Sequence, residues 1–155
     1  WSRQLLNVLV SAGLAFLTYG LIALFDISVT LPFWTVWFYQ FLVFLSFLLV
    51  SQTFLILLGP AGMMGNIVLL SMQLVTSGVI VPVAMLSPFY QTISSILPAT
   101  YAADGYFTVI FGGTGVTQEF FPLLMIMAVV LIISIGRIAL QKHPEHQKAL
   151  IQPSK

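Results

Sequence analysis

The feature that most constrains this chain is a long stretch without charge. From Ile27 to Ala103, half of the sequence, there is no Asp, Glu, Lys or Arg. Charged residues make up 6% of the whole chain, whereas soluble domains average about a quarter. The hydrophobic fraction is 59% and the mean hydropathy is +1.07. A surface that faces water needs charge, so this composition predicts a membrane protein whose surface is solvated by lipid.

Four apolar segments are long enough to cross a bilayer, which takes about 20 residues of helix. They cover residues 5–25, 32–58, 66–86 and 120–140. None of them alternates as a membrane strand would, and a helix satisfies its own backbone in lipid. The predicted fold is therefore all-α and polytopic, with residues 1–155 forming a single transmembrane domain.

The distribution of charge predicts the orientation of these spans. All five basic residues lie near the two ends of the chain, and cytoplasmic flanks collect Lys and Arg. Four spans place both ends on the same side, so both ends are expected to be cytoplasmic, in a multi-pass protein of the cell membrane. Asp26, Asp104 and Glu119 then fall outside. Trp34, Trp37 and Tyr39 are expected near the outer interface, as in aromatic belts.

Residues 87–115 do not fit simple spanning, because prolines and glycines break this apolar region into pieces that are too short. Phe89, Ile93 and the Ile96-Leu97 pair follow helical spacing, which predicts a short amphipathic helix. After Pro98, Thr100 can cap a second short helix. The prediction is a re-entrant helical hairpin on the outer face, before the last span.

The segment PVAMLSPFYQTISSILPATYAADG, residues 82–105, resembles the end of ABC-2-type membrane proteins and most of all the YhgE/Pip (phage infection protein) family. The run from Leu97 to Gly105 matches a Leu-Pro-Met-Thr-Tyr-Ala-Val-x-Gly pattern of that family. The resemblance covers about 40 residues, from Gly65 to Gly105. Many members carry a basic residue soon after the glycine, whereas Tyr106 follows here, so any role of that residue does not transfer.

The resemblance implies an arrangement and a function. ABC-2 permeases have six spans with a re-entrant pair before the last, so the four spans here would be the final four of a longer chain. In the YhgE/Pip branch, a first span and a large extracellular domain precede them. The implied function is a permease-like role in export or cell-envelope secretion. The alternatives are a membrane anchor that displays an extracellular domain as a phage or envelope-partner receptor, and the membrane subunit of a true ABC exporter.

Polar residues within the spans have two interpretations. They could contact a substrate along a translocation path, or they could form hydrogen bonds between helices. The residues are Gln40, Gln52, Thr53, Asn66, Gln73, Thr76 and Ser77. Apart from Arg137, which can extend to the inner interface, the spans contain no acidic or basic residue of the kind that ion-coupled pumps use. Asp104 could likewise bind a cation or partner at the outer mouth, or simply face water.

The candidate pathway residues, in the third span and the re-entrant region, are Gln73, Ser77, Pro98, Thr100, Tyr101, Asp104 and Gly105. No Ser/His/Asp set, carboxylate pair or metal-ligand cluster is present, and the chain has no Cys. The sequence therefore predicts no enzymatic activity, no cofactor and no metal. Expected partners are membrane lipids, a second copy in a homodimer, and either a secretion apparatus or a separate ATPase. A net charge of +1 gives no reason to expect nucleic acid.

Overall fold

Six α-helices make up the fold in this computed structural model, which describes residues 2–29, 31–112 and 116–151. Side chains are described for residues 4–29, 31–112 and 118–138. The helices are α1 (Ser2–Leu24), α2 (Phe33–Leu58), α3 (Gly62–Thr76), α4 (Pro88–Ser94), α5 (Pro98–Phe111) and α6 (Val116–Ile151). The predictions that involve Trp1, residues 113–115 and Lys155 lie outside the described residues.

The central helix is α2, which packs against α1, α3, α5 and α6. Its 26 residues are apolar on all sides, as expected for a helix that is surrounded by other helices and lipid. A buried cluster that includes Val36, Tyr39, Val43 and Leu123 joins it to α6 and α5. By contrast, α1 and the outer faces of α3 and α6 expose many large apolar side chains. Lipid can solvate these faces.

A tight turn, Gly59–Ala61, connects α2 to α3 and folds α3 back along α2. At the start of α3, a Cβ on Gly62 would lie 2.5 Å from the Phe54 carbonyl oxygen, so the two backbones are in direct contact. One turn later, the Asn66 amide donates a hydrogen bond of 3.2 Å to the Ser51 carbonyl. Small residues at such crossings let membrane helices approach closely.

The prediction that residues 66–86 are helical throughout is wrong in its second half. The helix ends at Thr76, and Gly78 follows with φ +83°, a left-handed conformation that suits glycine. Bends and a short 3₁₀ turn, Val83–Met85, then lead to α4. The remaining helix has 15 residues, which rise about 22 Å and fall short of a bilayer core of about 30 Å.

Among the described residues, three segments are long and apolar enough to cross a membrane: Gln4–Leu24, the stretch Phe33–Thr76, which contains the α2–α3 hairpin, and Gln118–Ile138. The chain is thus an all-helical membrane protein, in agreement with the predicted class, while the count of four spans is not confirmed. The predicted ends of the first, second and fourth spans agree closely with α1, α2 and the start of α6.

Two short helices occupy the region that was predicted as a re-entrant hairpin. They are α4 and α5, and each begins with a proline in its first turn, where the missing N–H costs nothing. The prediction that Thr100 caps the second helix is wrong. The helix begins three residues earlier than a Thr100 cap would place it, at Pro98 with Leu97 at the cap position, and this leaves the Thr100 side chain free for another contact.

Candidate functional site

The candidate site lies where α5 meets the beginning of α2 and the end of α3. Tyr39 is fully buried there, and its hydroxyl donates to the carbonyl oxygens of Tyr101 at 2.6 Å and Ala102 at 3.3 Å. The ring lies against Gly105, where an added Cβ would overlap the tyrosine hydroxyl. Glycine at this position therefore lets α5 rest directly on the tyrosine ring.

Tyr39, which was expected near the outer interface together with Trp34 and Trp37, is buried between helices rather than exposed on the surface. Its ring makes edge contacts with Tyr106 and Phe120, at centroid distances of 5.7 and 5.6 Å. Trp34, in contrast, is 72% exposed. Helical geometry explains why Tyr39 is buried and Trp34 is exposed. Tyr39 lies beside Val36 and Val43, on the face of α2 that packs on α5 and α6.

A hydroxyl cluster ties the hairpin to the end of α3. Thr100 Oγ1 lies 2.9 Å from the Ser94 hydroxyl, 2.9 Å from the Ser94 carbonyl and 3.3 Å from the Thr76 carbonyl. The threonine hydroxyl donates to the carbonyl oxygens and accepts from the serine hydroxyl. Because the Thr76 carbonyl is in the last turn of α3, it has no partner within that helix. Thr100 therefore caps the end of α3.

The other predicted site residues are distributed around this junction. Pro98 is buried at the start of α5, and the Tyr101 hydroxyl donates to the Ser95 carbonyl at 2.5 Å, which closes the α4–α5 turn. Gln73 and Ser77 are buried at the end of α3. The structure thus brings Thr100, Tyr101 and Gly105 into contact with neighbouring elements, while Asp104 points outward.

Asp104 and Glu119 lie near each other at the end of the bundle where α2 begins. Partial burial of Asp104 raises the pKa of its carboxyl above the usual range. Arg137 is about 27 Å further along α6, so the two signs of charge are at opposite ends. Within the described residues, no three His, Cys, Asp or Glu side chains come together as metal ligands.

An open groove of about 510 Å³ lies at the start of α2, beside α6. It is lined by Trp34, Thr35, Trp37, Phe38 and Phe120, and is almost entirely apolar. Such a surface suits contact with lipid.

Sequence reasoning missed the roles of Tyr39, Ser94 and Gln40. Gln40 was noted as a polar residue of the second span but was not singled out, yet it is completely buried and neither of its amide atoms has a partner among the described residues. A signal was available for Gln40, since glutamine is rare in the middle of such an apolar run. Nothing in the local sequence marks Tyr39 as a residue that supports α5.

Comparison with known proteins gives one similarity. The chain is 31% identical over 100 residues to the uncharacterized protein YhgE of Bacillus subtilis (strain 168). The aligned region covers 64% of this chain and 13% of that protein. No family model and no solved structure matches the chain. The chain is thus an all-helical membrane protein that is similar to part of YhgE.

Proposed function

We propose that this chain is the permease-like membrane domain of a YhgE/Pip-like protein that takes part in export or cell-envelope secretion. The observation that carries the proposal is the attachment of the α4–α5 hairpin to the membrane helices through Tyr39 and Thr100. A helical pair before the last span is what the resemblance to ABC-2-type proteins implies. The similarity to YhgE over 100 residues supports the same assignment.

The topology belongs to this proposal. Residues 77–86 continue from α3 towards the outer surface and complete a fourth crossing, and both ends of the chain are cytoplasmic. The acidic residues Asp104 and Glu119 and the distant Arg137 support this orientation, because basic residues collect on the cytoplasmic side. In the same proposal α4 and α5 enter the outer leaflet without crossing it, and two copies form the export path between them.

The test compares membrane-domain variants of the full-length protein in cells from which that protein has been deleted. Gly105→Leu forces α5 away from Tyr39, and we expect export of amphipathic material into the medium to fall to the level of the deletion strain. Gly13→Leu is the matched control, because nothing lies within 4 Å of a Cβ there. Equal amounts of both variants must be present in the membrane fraction. Normal export with Gly105→Leu would contradict the proposal.

A second candidate function is a membrane anchor for an extracellular domain, and one observation favours it. The aligned region covers only 13% of YhgE, so most of that relative lies outside the part that resembles this chain. An anchor needs the membrane helices only for attachment. In that case Gly105→Leu would leave the phenotype intact, whereas removal of the soluble part of the full-length protein would abolish it.

A further inference from the structure

The polar side chains inside the bundle include a first group that pairs between helices and a second group of amides that is incompletely paired. Two further buried atoms, Ser11 Oγ and Trp37 Nε1, also lack a partner among the described residues. Between α1 and α2, Asn7 donates to Gln52 at 2.5 Å, and between α2 and α6 the Thr53 and Ser134 hydroxyls are 2.7 Å apart. These contacts satisfy the side chains that make them. The residues of the second group, Gln40, Asn66 and Gln73, each retain a buried amide atom without a partner among the described residues.

The second group shares one interface. Asn66 contacts Ser51, which fixes the register of α3 against α2. Gln73 lies about two helical turns beyond Asn66, and Gln40 lies about three turns before Ser51, so both fall on the contacting faces. Because the helices are antiparallel, the register places Gln40 and Gln73 within about one turn, or 6 Å, of each other along the helix axes.

The burial of these amides makes their lack of partners informative. Gln40 is 0% exposed and Gln73 is 3% exposed, and a buried amide without a hydrogen bond is costly in an apolar environment. Buried groups of this kind are normally satisfied, and when protein partners are lacking they bind ordered water. The row of amides therefore needs small molecules that can both donate and accept hydrogen bonds.

The break at the end of α3 gives the row of amides an end where the backbone is no longer helical. Ser77 is buried, and its hydroxyl accepts a weak bond of 3.4 Å from the Val79 N–H. The next residues, Ile80 and Val81, are exposed and non-helical. Non-helical backbone at membrane depth is tolerated where it is covered by protein or lines a water-filled cavity. This break lies at the end of the row nearest to Gln40.

We propose that the α2–α3 interface is a hydrated polar seam, in which Gln40, Gln73 and Asn66 bind a row of water molecules that is continuous with bulk water at the Ser77–Val81 break. No charged side chain is present in the sequence of either helix, so the site suits neutral hydrogen-bonding molecules rather than ions. The seam does not depend on the proposed export function, because hydration can be measured without transport.

The absence of cysteine from the chain gives a direct test. Gln40→Cys and Gln73→Cys are made one at a time in the full chain and reconstituted into phosphatidylcholine vesicles. The probe is 2-hydroxyethyl methanethiosulfonate, a small, neutral, polar reagent that reacts with thiolates. Because a thiol ionises only where water reaches it, we expect both variants to react about tenfold faster than buried, dry controls.

Two controls separate hydration from burial and from lipid exposure. Thr53→Cys lies at the satisfied α2–α6 contact and is equally buried. Leu70→Cys is 59% exposed on the lipid face of α3. If Gln40→Cys does not fold, Gln73→Cys and Asn66→Cys carry the test. Rates at the seam equal to those of Thr53→Cys would overturn the proposal, whatever the result of the export experiment.

Discussion

Helix α2 uses two kinds of interface, and they differ in how close packing is achieved. Towards α6, large side chains such as Tyr39, Phe120 and Leu123 fill the space, and the polar pair Thr53–Ser134 is closed. Towards α3, the backbones touch at Gly62 and a row of amides follows without complete pairing. The α2–α6 interface is therefore closed by packing and by paired hydroxyls. The α2–α3 interface retains amide atoms that have no hydrogen-bond partner among the described residues.

The largest expected effect comes from Gly105, which supports the contact of α5 with the α2–α6 side. In Gly105→Ala the new methyl group would overlap the Tyr39 hydroxyl, and overpacking of this kind costs about 1–3 kcal/mol. We expect a loss near the upper end, because the hydroxyl also loses its two acceptors. Thermal unfolding in detergent micelles measures the change. Gly20→Ala, with open space around it, should be neutral or slightly stabilising.

A somewhat smaller loss is expected at the α2–α3 crossing. In Gly62→Ala the Cβ would lie 2.5 Å from the Phe54 oxygen and 2.8 Å from the Leu55 Cα. Backbone atoms cannot rotate away, so the two helices must separate, at a cost of about 2 kcal/mol. The same unfolding assay measures it, and Gly13→Ala serves as control. Unchanged stability of Gly62→Ala would mean that α3 does not pack on α2 in this register.

Disruption of the hydrogen bond between Thr53 and Ser134 should lower the free energy of unfolding modestly. Thr53→Val keeps the shape of the side chain but leaves the buried Ser134 hydroxyl without its partner, and we expect a loss of about 1 kcal/mol. The double variant Thr53→Val/Ser134→Ala should recover part of this loss, because no hydroxyl then remains unpaired. A double-mutant cycle with no coupling between the two positions would refute the contact.

The smallest change in stability is expected for the amides of the α2–α3 interface, smaller than the change expected for Thr53→Val. In Gln73→Leu the apolar side chain replaces an amide whose Oε1 has no protein partner, and water that was bound to the amide leaves with it. We expect the free energy of unfolding to change by less than about 0.5 kcal/mol. A loss above that of Thr53→Val would show that Gln73 is bonded to protein and would remove the distinction between the two interfaces.

Part of this architecture could be predicted from the sequence alone. The charge-free run and its length lead directly to membrane helices, and Pro88 and Pro98 mark the starts of α4 and α5. The end of α3 could not be predicted, because Val79, Ile80 and Val81 are as apolar as the helix before them. Hydropathy measures solubility in lipid, whereas the helix ends through a left-handed Gly78 and through Thr100, which is 24 residues away along the chain.

The candidate site, too, could be predicted from the sequence only in part. Thr100, Tyr101 and Gly105 could be selected from the resemblance of residues 97–105, but their contacts required the position of α2. Tyr39 and Gly105 are far apart in sequence and fit each other only in three dimensions. The partners of Thr100 also depended on where α5 begins, because a shift of three residues changed a predicted helix cap into a contact between helices.

The shortness of α3 has a consequence for the lipids around it. With 15 residues it offers about 22 Å of helix beside neighbours that are long enough to cross the full hydrocarbon layer of about 30 Å. Such hydrophobic mismatch is relieved when the bilayer thins locally. The leaflet beside Thr76 should therefore be depressed, and its headgroups should approach the exposed Val79 and Ile80. An amphipathic molecule would meet a thinner membrane on that side of the protein than anywhere else around it.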